Sequence, residues 1–200
     1  MLRRWVVVSL ALLSTGCGYN RIQELDERAQ AYQGQIEVQL QRRADLIPNL
    51  VNTVKGYAAH EEAVFTQVAN ARSGLIGAVR TGDAEQMAAA NATMTGALGR
   101  LLAVVENYPQ LKADQNFIRL QDELTGTENR IAVARNDYNA SVNEYNAYIR
   151  RFPQLITAKV TGAGPRKYFQ AAAGSTEAPK VDFSTPPAQQ PAPSPATKSP

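Results

Sequence analysis

The chain has 200 residues, of which 44% are hydrophobic and 20% charged, with 21 lysines and arginines against 18 aspartates and glutamates. This length and apolar fraction support one domain with a real core, and they exclude a wholly disordered chain. The single cysteine excludes an internal disulfide framework. With one cysteine and one histidine, the chain has too few ligands for the usual zinc site. The small excess of lysines and arginines forms no basic stripe of the kind that binds nucleic acid. We therefore predict no metal, no cofactor and no nucleic-acid partner.

Residues 1–16 have the layout of a secretory signal peptide. Two arginines precede an apolar run over residues 5–13, and small residues follow before Cys17. A helix needs about 20 apolar residues to span a bilayer, and this run is much shorter. We therefore expect a removable leader, with an uncleaved single-pass anchor in the inner (cell) membrane as the alternative.

Cys17 resembles the lipid-attachment cysteine of bacterial lipoproteins, whose thiol receives a diacylglyceryl group and becomes the mature N-terminus. It is the only cysteine and it follows the leader directly, although Ser14 replaces the leucine of the strongest lipoboxes. Several acyl chains on one residue give stable anchoring, because each buried CH₂ contributes about 0.8 kcal/mol. Gly18, after the cysteine, favours the outer membrane in Gram-negative lipoproteins. We predict an acylated envelope lipoprotein on the outer membrane, facing the periplasm; the alternative is an ordinary leader with a cysteine nearby by chance.

The first predicted helix of the middle region starts after Tyr19. Apolar residues recur there at steps of three and four, which places them on one stripe of a helix: Ile22, Leu25, Ala29, Tyr32, Ile36, Leu40, Ile47, Leu50, Val54 and Tyr57. Pro48 lacks a backbone donor and clashes with the preceding turn, so we predict a kink or a helix restart there, with Asp45 as a candidate cap.

Two shorter helices are predicted next, over residues 60–80 and 84–107. Between them Asp83 is a candidate N-cap, with Gln86 three residues later as in a capping box. Pro109 ends the second of the two, because the residue before a proline is pushed out of helical geometry.

The last predicted helix, over residues 111–151, carries a seven-residue repeat of large apolar side chains: Phe117, Leu124, Ile131, Tyr138, Tyr145 and Phe152. Such a repeat indicates a helix packed lengthwise against others. At 1.5 Å per residue this helix extends about 60 Å. The predicted fold is therefore all-α, an elongated antiparallel bundle of about four helices.

The bundle domain is predicted over residues 17–173. Beyond it, residues 174–200 are rich in proline, alanine and serine, cannot bury a core and are expected to be disordered or extended. A short apolar segment at 179–183 is the exception, since its side chains suit packing against the bundle.

Four polar residues lie on or beside the apolar stripes: Arg43, Asn49, Asn139 and Asn146. Arg43 and Asn49 flank Pro48, where a kink would free a backbone carbonyl for a guanidinium or an amide. The two later asparagines are one heptad apart and each follows a core tyrosine, a spacing typical of asparagines that fix helix register. We expect hydrogen bonds between helices at these residues; the alternative is a polar groove for a ligand or peptide.

Several blocks, in order, resemble the LemA family of bacterial proteins. They are IEVQLQRRADLIPNLV at 36–51, VKGY at 54–57, VENYP at 105–109, GTENRIA at 126–132, the pairs at 138–139, 145–146 and 152–153, and PKVDF at 179–183. The resemblance covers about residues 18–183 and implies an α-helical bundle held at a membrane by its N-terminus, with no enzymatic activity securely attached. Members are often anchored by a transmembrane helix, where this chain has a short leader and Cys17. It also lacks the first-helix tryptophan of many members and has Gly162-Ala163 in place of a Gly-Phe step.

The sequence shows no catalytic constellation: it has no Gly-rich phosphate loop, no serine nucleophile elbow and no dinucleotide fingerprint. His60, Glu61 and Glu62 lack the further ligands or the nucleophile that such chemistry needs, so a solvated helix start is their expected role. We predict a non-enzymatic, lipid-anchored envelope protein that binds or organises an envelope protein partner, or associates with itself. The alternative is an accessory or regulatory subunit of an envelope protease or other hydrolase, which a pocket joining His60, Glu61 and Arg130 would favour.

Overall fold

The computed structural model describes residues 2–170, with side chains from residue 18 onward. This part of the chain contains six helices and no strand: α1 (Leu2–Lys55), α2 (Glu62–Thr81), α3 (Ala84–Val105), α4 (Pro109–Lys112), α5 (Gln115–Ile149) and α6 (Gln154–Thr161). The all-α prediction is confirmed. The four long helices correspond to the predicted ones, although α1 begins at Leu2 and not after Tyr19, and α4 and α6 are short additions. The side chains of the predicted leader 1–16 and of Cys17, and the whole predicted tail 174–200 with its segment 179–183, lie outside the described residues.

Helices α1 and α5 share the largest interface of the bundle and run antiparallel. Early α1 contacts late α5 through Arg21 with Glu144, and Arg43 contacts Glu128 nearer the middle of both helices. Tyr57, just after α1, donates its hydroxyl to Asp114, just before α5. Eight of the ten residues of the predicted stripe of α1 are at most 1% exposed: Ile22, Leu25, Ala29, Ile36, Leu40, Ile47, Leu50 and Val54. Tyr32 is half-buried, and the prediction for Tyr57 is wrong, because α1 ends at Lys55 and Tyr57 beyond it is 40% exposed. Each large buried side chain of the stripe contributes about 1.5–3 kcal/mol relative to exposure, so this stripe holds α1 against the bundle.

The heptad repeat of α5 packs into the core at four of its six positions: Phe117, Ile131, Tyr138 and Tyr145. Leu124 is half-buried against the same core. The prediction for Phe152 is wrong, because α5 ends at Ile149 and Phe152 lies in the turn beyond it, 81% exposed.

The start of the last helix was also predicted too early. Helix α4 ends at Lys112, and α5 begins only after Asp114, whose side chain accepts hydrogen bonds from the N–H groups of Asn116 and Phe117 at 2.8 and 3.0 Å. An aspartate in this role starts a new helix, since it satisfies donors that have no partner within the first turn.

Helix α1 continues through Pro48, so no helix restarts there and Asp45 lies within the helix rather than capping one. A proline has no N–H for the carbonyl four residues earlier, here that of Ala44. Arg72 of α2 supplies the missing donor, since its Nε donates to the Ala44 oxygen at 2.8 Å. A guanidinium does satisfy the freed carbonyl, but it comes from α2 and not from Arg43.

The turn between α2 and α3 confirms the predicted cap. Gly82 ends α2 at φ 64°, a left-handed conformation that favours glycine. The Asp83 side chain then accepts from the N–H groups of Glu85 and Gln86, both at 3.0 Å. The Gln86 side chain accepts from the Thr81 hydroxyl at 3.2 Å instead of returning to the Asp83 backbone, so only half of the capping box forms.

Among the described residues, α3 alone is long and apolar enough to cross a membrane, judged by length and composition only. It packs against α2 and buries Met87, Met94 and Leu101 in the bundle core. Core helices of globular proteins share this composition, so we assign no membrane span to α3.

A second, smaller core lies near residues 22–25 of α1, at the end of the bundle where α5 ends. It consists of Ile22, Leu25, Tyr145, Ile149 and Ala158, the last contributed by α6. After α6, Gly162 turns the chain at φ 75°, and the non-helical residues 163–170 return along α5. We call residues 163–170 the strap.

Candidate functional site

The strap is fastened to α5 by two asparagines that each bind one residue's whole peptide unit. Asn146 donates from Nδ2 to the carbonyl of Arg166 and accepts from the N–H of the same residue, both at 2.9 Å. Asn139 does the same to Phe169, at 3.0 and 2.8 Å. Each amide thereby replaces the pair of hydrogen bonds that a neighbouring β-strand would provide.

The spacing of these contacts explains why the asparagines repeat every seven residues. Seven residues of helix rise about 10.5 Å, and three residues of nearly extended chain span about 10 Å. Asn139 and Asn146 therefore match Phe169 and Arg166, with the strap running antiparallel to α5.

The two core tyrosines of α5 also hydrogen-bond to the backbone of the strap. Tyr138 donates its hydroxyl to the Lys167 carbonyl at 2.8 Å, and Tyr145 donates to the Gly164 carbonyl at 3.1 Å. Burial is the main cause that raises the pKa of both tyrosines, so they remain neutral donors at physiological pH. The Tyr-Asn pairs of α5 are thus a ladder of four side chains along one extended segment.

Charged residues join the strap to two further helices. Arg166 binds Asp26 of α1 through two hydrogen bonds, at 2.6 and 2.9 Å, and this contact is the first cause of its raised pKa. Lys167 lies 3.1 Å from the carboxylates of both Asp83 and Glu85 at the start of α3. The strap therefore ties α1, α3 and α5 together.

The structure changes the predicted roles of two asparagines and removes that of a third. Asn139 and Asn146 form internal hydrogen bonds, but their partner is the backbone of the strap and not another helix. The alternative, a polar groove for a ligand or peptide, stays a prediction, since the chain's own strap occupies the hydrogen-bonding positions of Asn139 and Asn146. Asn49 is exposed, and its side chain has no hydrogen bond among the described residues; only its carbonyl accepts, from Thr53 Oγ1 at 2.9 Å.

Arg43 is the charge most deeply buried in the bundle, with 4% of the residue exposed. It lies between α1, α3 and α5, where its Nη1 donates to Asn91 Oδ1 at 2.6 Å and to Glu128, and its Nη2 donates to Thr95 Oγ1 at 3.1 Å. Its Nε is buried without a partner in the described structure. Burial lowers the pKa of Arg43 and the Glu128 carboxylate opposes that shift, but an arginine so far above neutral keeps its charge.

A cavity of about 310 Å³ adjoins this cluster. Its walls include the apolar side chains of Leu50, Leu98, Leu102 and Leu124, and Arg43 and Glu128 also line it. This volume is at the lower limit of ordinary ligand sites.

The catalytic alternative receives no support from the described side chains. His60 is exposed in the turn between α1 and α2, and Arg130 is exposed on α5. Neither forms a hydrogen bond or ion pair with Glu61 within residues 18–170, and no group of three His, Cys, Asp or Glu side chains there is placed to hold a metal.

The sequence analysis did not identify the hydrogen-bond partners of Arg43 or the ion pair that holds the strap. Asn91 had a detectable signal, because it stands on the buried stripe of α3 between Met87 and Met94. Asp26 and Arg166 had none, since they are 140 positions apart and neither interrupts an apolar stripe.

The cap at Asp83 gives a pH prediction. The Gln86 N–H first, and then the Lys167 ammonium, hold the pKa of Asp83 below its usual range. A carboxylate with a lowered pKa in the folded state stabilises the fold above about pH 4, and that contribution is lost as the pH falls through the folded-state pKa. Replacing Lys167 with methionine should raise the Asp83 pKa part of the way to its ordinary value, as measured by carboxyl-carbon NMR titration.

A matched control is Lys159→Met, which removes an exposed lysine that has no ion pair in the described structure. It should leave the Asp83 titration in place. An equal shift of the Asp83 pKa in both variants would mean that net charge, and not the contact with the strap, sets the value.

Comparison with known proteins places the chain in a family. A profile of the LemA family matches residues 32–183. The chain is 32% identical over 175 residues to the magnetosome proteins MamQ 1 and MamQ 2 of Paramagnetospirillum magneticum (strain ATCC 700264 / AMB-1), with 76% of this chain and 64% of each relative covered. It is 30% identical over 182 residues to the magnetosome protein MamQ of Magnetospirillum gryphiswaldense, with 79% and 67% covered.

The chain therefore spans a little under two thirds of the length of the first two relatives. Neither the family nor these relatives are known enzymes, and both point to a membrane-associated protein. The matched region includes residues 32–55 of α1, all of α2 to α6 and the strap, and on this ground the chain belongs to the LemA family.

Proposed function

We propose that this chain is a non-enzymatic envelope protein, anchored to the outer membrane through an acylated Cys17, whose bundle binds or organises other proteins in the periplasm. The observation that carries the proposal is the continuity of α1, which includes residue 17 and continues without a break to Lys55. The residue that would hold the anchor thus lies on the helix that packs along α5, so the anchor would be joined to the bundle by helix and not by a flexible linker.

Two further observations support binding over catalysis. The buried polar residues of the described structure are hydrogen-bonded within the bundle, in the ladder on α5 and around Arg43. The relatives carry the name of a cellular structure and not of a reaction, which fits a role in organising an assembly.

Mass spectrometry of the N-terminal peptide from purified membranes tests the anchor. We expect a mature peptide that begins at Cys17 and carries a diacylglyceryl group, and we expect Cys17→Ser to abolish both the lipid and cleavage at this site. An intact Met1 end without lipid would contradict the proposed anchor and would favour the single-pass arrangement.

Native mass spectrometry of the complex extracted from membranes tests the binding role. A stoichiometric partner protein of different mass is the expected result. A complex made only of copies of this chain would replace the adaptor role by self-assembly. A co-purified hydrolase whose rate changes when this chain is removed would favour the accessory-subunit alternative.

A further inference from the structure

One end of the bundle exposes a row of apolar side chains. Phe152 is 81%, Ile156 53% and Val160 82% exposed, and Leu155 beside them is 38% exposed. Ile156 and Val160 are one helical turn apart on α6, and Phe152 lies in the turn just before this helix. Helix α6 buries only Ala158 against the small core, so its other side is unpartnered within the described structure.

The segment of sequence that contains this row is rich in cations and lacks carboxylates. Between Glu144 and Glu177 the sequence has five lysines and arginines and no acidic residue. Arg166 and Lys167 are paired with Asp26, Asp83 and Glu85. Arg150, Arg151 and Lys159 are exposed and have no ion pair among residues 18–170.

The same end of the bundle lies beside the proposed anchor. A methyl group at Gly18 would lie 3.5 Å from Thr157 Oγ1 and 3.8 Å from Gln154 Cγ, so α6 touches the residue that directly follows Cys17. The opposite end of α1, at Lys55, is about 55 Å further along the helix at 1.5 Å per residue. Apolar side chains flanked by cations, next to a lipid-bearing residue, match the composition of helices that lie in a membrane interface.

We propose that Phe152 and α6 form a lipid-contacting face that rests on a bilayer bearing anionic phospholipid head groups. Phe152, Ile156 and Val160 enter the boundary between head groups and acyl chains, and Arg150, Arg151 and Lys159 contact phosphates. This inference rests on the proposed anchoring and deepens it, because a second contact beside the anchor fixes the tilt of the bundle and presents its far end to partners.

Tryptophan fluorescence in vesicles with brominated acyl chains tests this face in the protein purified from membranes. Cleavage before Cys17 would remove Trp5, and Trp5 is also replaced by phenylalanine, so Val160→Trp carries a single reporter in either case. The control is Val133→Trp, an equally conservative change at a residue that is 61% exposed on α5, far from α6. Both positions are open to solvent, so neither variant removes core packing.

The vesicles contain phosphatidylcholine alone or with phosphatidylglycerol. We expect blue-shifted emission and several-fold stronger bromine quenching for V160W than for V133W, with a larger difference on the anionic vesicles. Equal quenching of the two variants in protein that sediments with the vesicles would overturn the lipid-contacting face while leaving the anchor intact. Failure to sediment at all would overturn the anchoring and this inference with it. A blue shift of V160W without vesicles would mean that protein covers the row, which also overturns the proposal.

A charge variant tests the cations separately. Replacing Arg150, Arg151 and Lys159 together by glutamine should abolish the difference between anionic and neutral vesicles. The control replaces Arg42, Arg80 and Arg130, three exposed arginines without an ion pair among the described residues, so both variants lose the same net charge. An equal loss in both would show that overall charge attracts the chain, and it would contradict a dedicated role for α6.

Discussion

Replacing Asn146 with alanine is expected to lower the free energy of unfolding by about 2–4 kcal/mol and to release the strap from α5. Asn146 is 5% exposed and holds both the N–H and the carbonyl of Arg166. Alanine leaves both groups without partners, so they must either stay buried at a cost or move out to water. Moving out also strains the ion pair of Arg166 with Asp26, since its backbone would no longer be held in place.

Urea denaturation and hydrogen exchange measure the two parts of this effect. The amides of the strap should exchange at least about tenfold faster in Asn146→Ala, since a loss of 1.4 kcal/mol corresponds to a factor of ten. Asn139→Ala should act in the same direction but less strongly, because Asn139 is only half-buried.

The matched control is Asn136→Ala, at an exposed asparagine of α5 that has no hydrogen bond in the described structure. It should change stability by no more than about 0.5 kcal/mol. If Asn146→Ala lowered stability while the strap amides kept their protection, the ladder would not be what holds the strap. If it left both unchanged, Asn146 would have no part in the stability of the bundle.

The ladder shows how far the sequence leads at this site and where it stops. The heptad spacing of Asn139 and Asn146, each directly after a core tyrosine, is visible in the sequence as a repeated Tyr-Asn pair. Their partner is not, because an amide that binds backbone requires no particular side chain opposite it. The strap itself has no apolar period, so nothing in its residues distinguishes a segment bound to α5 from an ordinary loop.

The fold was predicted better than the contacts for the same reason. Burial follows a periodic pattern, and the stripes of α1 and α5 could be read from their spacing. The donor for the Ala44 carbonyl at Pro48 depends on how α2 is placed, and only the structure shows that it is Arg72. Phe152 continued the heptad in the sequence, but a period predicts burial only as far as the helix extends.

Arg43 is expected to make the other large contribution. Replacing it with alanine should destabilise the bundle by about 2–4 kcal/mol, since the change leaves the Asn91 amide oxygen buried without its donor and opens space between α1, α3 and α5. The adjacent Arg42 is exposed, so Arg42→Ala is the control and should cost no more than about 0.5 kcal/mol. Urea denaturation of both variants gives the comparison.

Replacing a hydrogen-bond partner of Arg43 should lower the free energy of unfolding more when that partner is more deeply buried. Glu128→Gln should cost only about 1 kcal/mol, because its side chain is 44% exposed and water compensates part of the lost charge. Asn91→Ala should cost more, since Asn91 is buried and its loss leaves a guanidinium proton without an acceptor.

Replacing both Arg43 and Asn91, as Arg43→Met with Asn91→Leu, should recover most of the stability lost in Arg43→Ala, because apolar side chains of similar volume often match a buried polar cluster. A double-mutant cycle measures the interaction energy between Arg43 and Asn91, whose side chains are hydrogen-bonded at 2.6 Å in the core. An interaction energy near zero would contradict this account. A double variant that folds stably but no longer binds its partner would instead mean that the cluster is retained for recognition, at a cost in stability that an apolar core would avoid.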